Sequence, residues 1–172
     1  KGCTMKKRLT IIQMDVHVND VEYNYTRVQE LLSQSLSEHP DIIVLPETWN
    51  TGFYPSKELI NIADRNGDRT KSLLSAFAKE HNVNIVGGSV AVAKNDVVFN
   101  TSYAYNREGT LVGEYSKMHG FSPAKEDQYF AGGTHTTHFE LDGIPCSTVI
   151  CYDIRFPELV RMAALPNTEL LF

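Results

Sequence analysis

The 172-residue chain has the length of one domain, and its 42% hydrophobic and 22% charged residues exclude a disordered or fibrous protein. Sixteen Lys and Arg residues against 21 Asp and Glu residues give a formal net charge of −5. Proteins that bind nucleic acids or anionic membranes present a positive surface, so this balance argues against both partners and favours a small-molecule substrate.

The first half of the chain alternates strands with helices. Asn19 and Asp20 supply side chains that cap a helix, and apolar residues at helical spacing follow them. A near-continuous aliphatic run before Pro46 is typical of a strand that is covered on both faces. The predicted elements are strand 8–15, helix 20–38, strand 41–46, a long loop over 47–68 with room for a short helix, and helix 70–81.

The second half reads as an antiparallel meander followed by one more helix. The predicted elements are strands 83–92, 97–105, 110–117, 136–141 and 146–151, helix 157–165, and a strand that begins at 169. Strand–helix–strand followed by a meander predicts an α/β layered fold with a mixed sheet. Because the chain stops inside the apolar run Leu170–Phe172, we expect residues 1–172 to form one domain that is incomplete at its C-terminal end.

Cysteine usage and the absence of targeting signals point to the cytoplasm. Cys3, Cys146 and Cys151 are an odd number and too few for a disulfide framework. An odd separation along one strand places Cys146 and Cys151 on opposite faces, which argues against a bridge or a shared metal. The sequence contains no run of 18 apolar residues, so no membrane span is predicted, and the N-terminus lacks the apolar region of a signal peptide. We expect Met5 to be the native start, with residues 1–4 additional to it.

Three residues stand where a predicted strand ends, which is where open α/β sheets place their sites. Cys151 lies at a strand-to-helix corner, where a helix N-terminus favours a thiolate. By spacing alone, however, a lone cysteine on an apolar strand is more often a small buried hydrophobe. By position alone, Glu47 reads as a site carboxylate or a solvated loop residue, and Lys117 as a surface lysine.

Together, these segments resemble a known family. Leu45-Pro-Glu47, Tyr115-Ser-Lys-Met-His119 and Ile150-Cys-Tyr-Asp-Ile-Arg-Phe-Pro-Glu158 are similar to the motifs of the nitrilase superfamily of carbon–nitrogen hydrolases. That family carries Glu, Lys and Cys in this chain order, each closing a strand. The resemblance covers essentially the whole chain and implies an αββα layered sandwich.

The resemblance also implies covalent acyl transfer by three catalytic residues. Cys151 would attack an amide carbon and form a thioester, and Glu47 would be the general base. Lys117 would stabilise the oxyanion and help protonate the leaving ammonia, with the backbone N–H of Tyr152 as a second donor. A thiol with an ordinary pKa needs such a base or cation to be a useful nucleophile at neutral pH.

Further residues follow from the same resemblance. Glu126 matches a second glutamate of the family pocket and is expected to orient Lys117 or the substrate; the alternative is an ordinary loop carboxylate. Arg155 and Glu158 are expected to pair with each other or to hold the loop around the nucleophile. Gly120 departs from the family pattern, and we expect it to loosen the loop beside the pocket.

Other patterns carry less chemistry. His135 and His138 are spaced H-x-x-H, but near the start of a strand their rings should diverge, so no metal site is expected. The aromatic residues Trp49, Phe53 and Tyr54 follow the proposed base and are expected to wall the pocket rather than fill the core.

The segment from Glu47 to Tyr54 resembles the branch that acts on ω-amides of dicarboxylic acids such as 2-oxoglutaramate. We therefore expect an amidase without cofactor, acting on a small amide, and, by resemblance, a homodimer. Two alternatives stay open. A nitrilase would use the same three residues on a small nitrile, and a non-catalytic family member would serve as a binding protein.

Overall fold

The computed structural model describes residues 6–165 and 167–172. The expectations for Cys3, for Met5 and for residues 1–4 lie outside these residues. The strands are β1 (Leu9–Ile11), β2 (Ile42–Val44), β3 (Asp64–Arg65), β4 (Asn84–Val86), β5 (Val90–Lys94), β6 (Val97–Tyr105), β7 (Leu111–Ser116), β8 (His138–Leu141), β9 (Ile144–Ser147) and β10 (Leu170–Leu171). The α-helices are α1 (Val21–Ser35), α2 (Leu59–Ile62), α3 (Asp68–His81), α4 (Glu126–Tyr129) and α5 (Pro157–Ala164). Short 3₁₀ helices cover Leu36–Glu38, Ser122–Ala124 and Cys151–Arg155.

The strands form two sheets. The first contains seven strands in the order β1-β2-β4-β6-β5-β3, with β7 also paired to β6. Its β1, β2 and β4 are mutually parallel, whereas β6 runs antiparallel to β4, β5 and β7. The second sheet has the order β10-β9-β8, with β9 parallel to β10 and antiparallel to β8. The mixed sheet predicted from the sequence is therefore present.

Helices α1 and α3 pack on one face of the first sheet. The side chain of Asp20 accepts a hydrogen bond from the backbone N–H of Tyr23, so the predicted cap of α1 is formed. The buried faces of the two helices share one core with β2, β4, β5 and β6. That core includes Tyr25, Val28, Leu32, Ile43, Leu74, Phe77, Ile85, Val92 and Tyr103.

A second core lies between the two sheets. It joins buried residues of β2, β4 and β6 to those of β8 and β9: Ile42, Val86, Ala104, Phe139, Leu141 and Cys146. Helix α5 connects the parallel strands β9 and β10, the role that a crossover helix plays in α/β folds. The predicted layered α/β sandwich is confirmed.

Two differences between the predicted and observed strands lie close to the predicted site residues. The predicted strand 83–92 is broken into β4 and β5 at Gly87–Ser89. Gly88 has φ +57°, and a Cβ placed there would lie 2.0 Å from the carbonyl oxygen of Pro46, so the chain can pass this close only with glycine. The predicted strand 146–151 ends at Ser147, and Cys151 instead begins a 3₁₀ helix.

The expectation that Trp49 walls the pocket is wrong. Its side chain is fully buried, packs edge-on against Tyr25, and donates its indole N–H to the carbonyl of Gly87 over 2.9 Å. Tyr54 is exposed, and only Phe53 among the three aromatic residues approaches the site, where it packs near Phe121. A tryptophan whose indole N–H finds a buried acceptor is a stable core residue.

Among the described residues, no helix combines the length and apolar character needed to cross a bilayer, and no group of three or more His, Cys, Asp or Glu side chains is arranged to hold a metal ion. His135 and His138 are both exposed, and His138 Nε2 lies 2.6 Å from the carbonyl oxygen of Leu165.

Candidate active site

Three chain segments that leave the sheets carry Glu47, Lys117 and Cys151 to one place. Glu47 follows β2 after Leu45 and Pro46, Lys117 directly follows β7, and Cys151 follows β9 after three extended residues. Lys117 Nζ lies 2.8 Å from Glu47 Oε1, and Glu47 and Cys151 line the same cavity. The structure thus brings the three predicted residues together.

Lys117 is a buried cation held between two carboxylates. The residue is 4% exposed, and its Nζ donates to Glu47 Oε1 over 2.8 Å and to Glu126 Oε2 over 2.7 Å. Burial lowers the pKa of Lys117, but the hydrogen bonds to Glu126 and Glu47 outweigh that effect and raise it above its ordinary value. Lys117 therefore stays an ammonium ion at neutral pH.

Glu126 is the second carboxylate that binds Lys117. It is the first residue of α4 and is 1% exposed. Its Oε2 accepts from Lys117 and, over 2.6 Å, from the backbone N–H of Phe121, whereas its buried Oε1 has no hydrogen-bond partner in the described part of the chain. The expected placement beside Lys117 is what the structure contains.

Asn100 is a neighbour of Glu47 that the sequence did not single out. It lies on β6 with 1% exposure, and its Nδ2 donates to Glu47 Oε1 over 3.0 Å. Its backbone carbonyl also accepts from the N–H of Lys117. Both side-chain donors that reach Glu47 within the described residues therefore bind Oε1, which leaves Oε2 to face another group.

Cys151 begins its 3₁₀ helix with φ +47°, a left-handed backbone that residues other than glycine seldom adopt. The residue is exposed. Partial burial of the thiol raises the pKa of Cys151, the Glu47 carboxylate raises it further, and the Lys117 ammonium opposes them without cancelling them. The expectation that the corner favours a thiolate is therefore wrong for the resting site, because partial burial of the thiol and the Glu47 carboxylate both favour its protonated form.

Cys146 differs from Cys151 chiefly in exposure, and the pKa of both thiols is raised. It is 1% exposed within the core between the sheets, and burial raises the pKa of its thiol to about 11. Both cysteines are free, as expected. The argument from opposite faces of one strand does not apply, however, since only Cys146 lies on a strand.

Two cavities flank the charged residues. One of about 130 Å³ is lined by Glu47 and Cys151 together with apolar side chains that include Val44, Val86 and Ile150. The other, of about 180 Å³, is lined by Asn100, Lys117, Glu126 and Phe130 among others. A thiol beside a carboxylate that can take its proton, and an ammonium that can hold a negative oxygen, together suit nucleophilic attack on a polarised carbon.

The residues around Cys151 match their predictions unevenly. Tyr152 is half-buried among aromatic rings, 5.1 Å from the ring of Phe121 and 5.5 Å from that of Phe156. Arg155 is exposed and forms no ion pair with Glu158 or any other described residue, so the expected pairing is absent. A Cβ on Gly120 would lie 3.1 Å from the backbone nitrogen of Asp127, so the glycine permits close packing of its loop against α4.

Asp153 is a second buried residue, after Asn100, that sequence reasoning missed. It is fully buried, and its carboxylate accepts hydrogen bonds from Tyr115, His119 and Ile150. The only sequence signal was its place two residues after Cys151, where a carboxylate near a helix start is normally exposed.

Comparison with known proteins gives this geometry a context. A family model described as carbon-nitrogen hydrolase matches residues 8–172. A 2-oxoglutaramate amidase of Bacillus subtilis is 40% identical over 98% of this chain and 64% of that protein. An omega-amidase of Danio rerio is 31% identical over 96% of this chain and 62% of that protein. The chain thus spans slightly less than two thirds of these curated relatives.

Solved structures agree on the fold. A mutant amidase from Nesterenkonia sp. AN1, which shows Michael addition of acrylamide at its active site cysteine, superposes with a TM-score of 0.85. The match covers 96% of this chain and 65% of that one at 21% identity, so it supports the fold and not the activity.

Proposed function

The chain belongs to the carbon–nitrogen hydrolase family, and we propose that it hydrolyses a small amide through a cysteine thioester and releases ammonia. One observation carries this proposal: an enclosed ammonium, Lys117, hydrogen-bonded to the carboxylates of Glu47 and Glu126, beside the exposed thiol of Cys151. An enclosed cluster with two carboxylates and one ammonium carries an excess negative charge, which is costly to bury. Catalysis gives a reason to keep such a cluster.

Attack begins with the thiol protonated. Because the pKa of Cys151 is raised, Glu47 accepts the proton as Sγ forms its bond to the amide carbon. The carbonyl oxygen becomes negative, and Lys117 and the backbone N–H of Tyr152 stabilise it. The orientation of Glu47 by Asn100 and Lys117 through Oε1 supports Oε2 as the base.

Collapse and hydrolysis complete the cycle. The C–N bond breaks, and the nitrogen leaves as ammonia with the proton that Glu47 took from the thiol. Water then gives a proton to Glu47 and hydroxide to the acyl carbon, the C–S bond breaks, and the sulfur regains the proton. The products are one carboxylic acid and one ammonia for each amide and water consumed.

For the substrate class, we propose a short ω-amide of a dicarboxylic acid, such as 2-oxoglutaramate. The support is similarity to the Bacillus subtilis 2-oxoglutaramate amidase and the Danio rerio omega-amidase. The cavity at Cys151, about 130 Å³, is sized for a small acyl group.

We further propose that the protein acts as a homodimer. Ile154, Met162 and Leu165 follow the nucleophile along the chain and are 64%, 55% and 53% exposed, so they offer apolar surface to a second copy. Light scattering coupled to size-exclusion chromatography tests this directly: a mass of one chain contradicts it.

Ammonia release tests the activity. The protein is offered short ω-amides and the matching nitriles, beside Cys151→Ala and the control Cys146→Ala. We expect release from amides to fall at least about 10⁴-fold in Cys151→Ala and to persist in Cys146→Ala. Release from nitriles alone would favour a nitrilase, and none from the folded protein would favour a binding protein.

A further inference from the structure

Asp153 is a buried carboxylate with an unusually complete set of donors. Its Oδ1 accepts from the backbone N–H of His119 over 2.9 Å and lies 2.9 Å from the Nδ1 of the same residue. Its Oδ2 accepts from the hydroxyl of Tyr115 over 2.6 Å and from the backbone N–H of Ile150 over 3.2 Å. A buried carboxylate is tolerable only when such donors replace water.

The donors of Asp153 bracket the two reactive residues. Tyr115 lies two residues before Lys117 and His119 two residues after it, whereas Ile150 and Asp153 enclose the start of the turn at Cys151. One side chain thereby ties the nucleophile turn to the segment that carries the ammonium. The ring of His119 also stacks on Phe156 with centroids 3.6 Å apart, which adds a second contact between the segment after Lys117 and the segment after Cys151.

The backbone at Cys151 needs such a tie. A non-glycine residue at φ +47° persists only where its surroundings enforce that conformation. The bond from Ile150 N–H to Asp153 Oδ2 spans Cys151 directly, and Asp153 is itself anchored to Tyr115 on β7. The carboxylate thus contacts both the turn and the strand.

We propose that Asp153 is a positioning residue that holds the Cys151 turn at a fixed place relative to Lys117, so that sulfur and ammonium meet the same carbonyl group. The inference rests on the proposed amide hydrolysis. Asp153 itself contacts no reacting atom. Its effect is on the alignment needed in the transition state, where a small misplacement is expensive.

The test compares Asp153→Asn and Tyr115→Phe with Tyr103→Phe. The control removes a buried hydroxyl on β6 that has no hydrogen-bond partner among the described residues. Four quantities are measured in each variant: kcat and KM for the amide, the rate at which iodoacetamide alkylates Cys151 at pH 9, and the midpoint of urea unfolding. Alkylation needs the thiol alone, whereas amide turnover needs sulfur and Lys117 in register.

We expect Asp153→Asn to lower kcat about 100-fold and Tyr115→Phe about 5-fold, with KM and the alkylation rate changed less than 3-fold. Tyr103→Phe should leave all three kinetic values unchanged. If Asp153→Asn fails to fold, Tyr115→Phe decides by the same criteria.

A full-activity variant, or one whose kcat and alkylation rate fall together in proportion to unfolding, overturns the positioning role. Wild-type protein that folds but releases no ammonia overturns the proposed function, and with it this inference. The two failures are distinguishable because the first requires active wild-type enzyme.

Discussion

Two charged clusters lie at opposite ends of the same strands, and their differences separate chemistry from stability. The Lys117 cluster, consisting of Glu47, Lys117 and Glu126, follows β2 and β7. The Arg107 cluster, consisting of Lys7, Asp41, Arg107 and Asp142, precedes β1, β2, β7 and β9. Carboxyl ends of strands typically carry the site, and amino ends the stabilising contacts.

The two clusters differ in balance and in exposure. The Lys117 cluster sets one cation against two carboxylates; the side chains of Lys117 and Glu126 are 3% and 1% exposed, and that of Glu47, which faces the cavity, is 20% exposed. The Arg107 cluster sets two cations against two carboxylates whose side chains are 17–31% exposed. Arg107 binds both oxygens of Asp142 over 2.8 Å and also reaches Asp41. An enclosed, unbalanced cluster is a cost to folding, whereas a balanced, partly solvated one supports it.

Substituting the lysine of each cluster should give the largest difference in activity between the two clusters. Lys117→Met removes the proposed oxyanion donor, and we expect kcat/KM for the amide to fall about 10³-fold, equivalent to about 4 kcal/mol. Lys7→Met removes the lysine of the Arg107 cluster and should leave kcat/KM unchanged per folded molecule. Steady-state ammonia release measures both. Equal losses in the two variants would contradict the division between the clusters.

Asp142 should govern stability in acid. The hydrogen bonds from Arg107 hold the pKa of the Asp142 carboxyl well below its ordinary value of 3.8. Because the folded pKa is the lower one, this contribution to stability is complete above pH 4 and is lost as the pH falls through the folded value. We expect Asp142→Asn to lower the free energy of unfolding by about 2 kcal/mol at pH 7, and by less at pH 3.

Urea unfolding at pH 7 and pH 3 measures that difference. Asp96→Asn is the matched control, since Asp96 is also a turn residue with positive φ, 62° against 51° for Asp142, but forms no ion pair among the described residues. Its free energy of unfolding should change by less than about 0.5 kcal/mol at either pH. If Asp142→Asn lowered the free energy of unfolding by more at pH 3 than at pH 7, the ionised Asp142 would not be the stabilising form, which would contradict the prediction.

The sequence identified the candidate site residues more readily than the contacts that support them. Glu47, Lys117 and Cys151 were singled out because each was expected to close a strand within a motif of a known family. The α/β layers with a mixed sheet followed from the order of strands and helices, and the αββα arrangement followed from the family resemblance. The Arg107 cluster could not be found, because its members are 135 residues apart at most and nothing local marks them as partners. Periodicity also could not show that the strand before Cys151 ends at Ser147, since the apolar run continues to Ile150.

Burial was the other quantity beyond reach. Asp153 and Asn100 are polar residues in ordinary positions, and only the packed structure shows that they are 0% and 1% exposed. The direction of the Cys151 pKa shift depends first on how far the thiol is buried and then on the charges around it. A helix start alone suggested a lowered pKa, whereas burial of the thiol and the Glu47 carboxylate, opposed by Lys117, give a raised one.

Two buried asparagines, one near each cluster, allow the same comparison between chemistry and stability with smaller expected effects. Asn100 donates to Glu47 at the site end, and Asn84 donates over 3.0 Å to the carbonyl of Asp41 at the other end of the sheet. We expect Asn100→Ala to lower kcat about 10-fold with little change in KM, because Glu47 loses a donor that orients it. Asn84→Ala should lower the free energy of unfolding by about 1 kcal/mol and leave kcat unchanged. Steady-state kinetics and urea unfolding of both variants check this.

The smallest expected effect concerns the thiol itself. The Glu47 carboxylate contributes to the raised pKa of Cys151, and Lys117 opposes it, so Glu47→Gln should leave the lysine's influence in excess and lower that pKa. Because Cys151 is exposed, we expect a shift of no more than about one pH unit, or 1.4 kcal/mol. The pH dependence of iodoacetamide alkylation, followed by mass spectrometry at Cys151, measures the shift.

Cys146, with a thiol pKa of about 11 in the core, serves as the internal control and should stay unmodified in both proteins. An alkylation profile that moves to higher pH in Glu47→Gln would mean that Glu47 does not face the thiol as a charge, and the proposed base would have to be sought elsewhere.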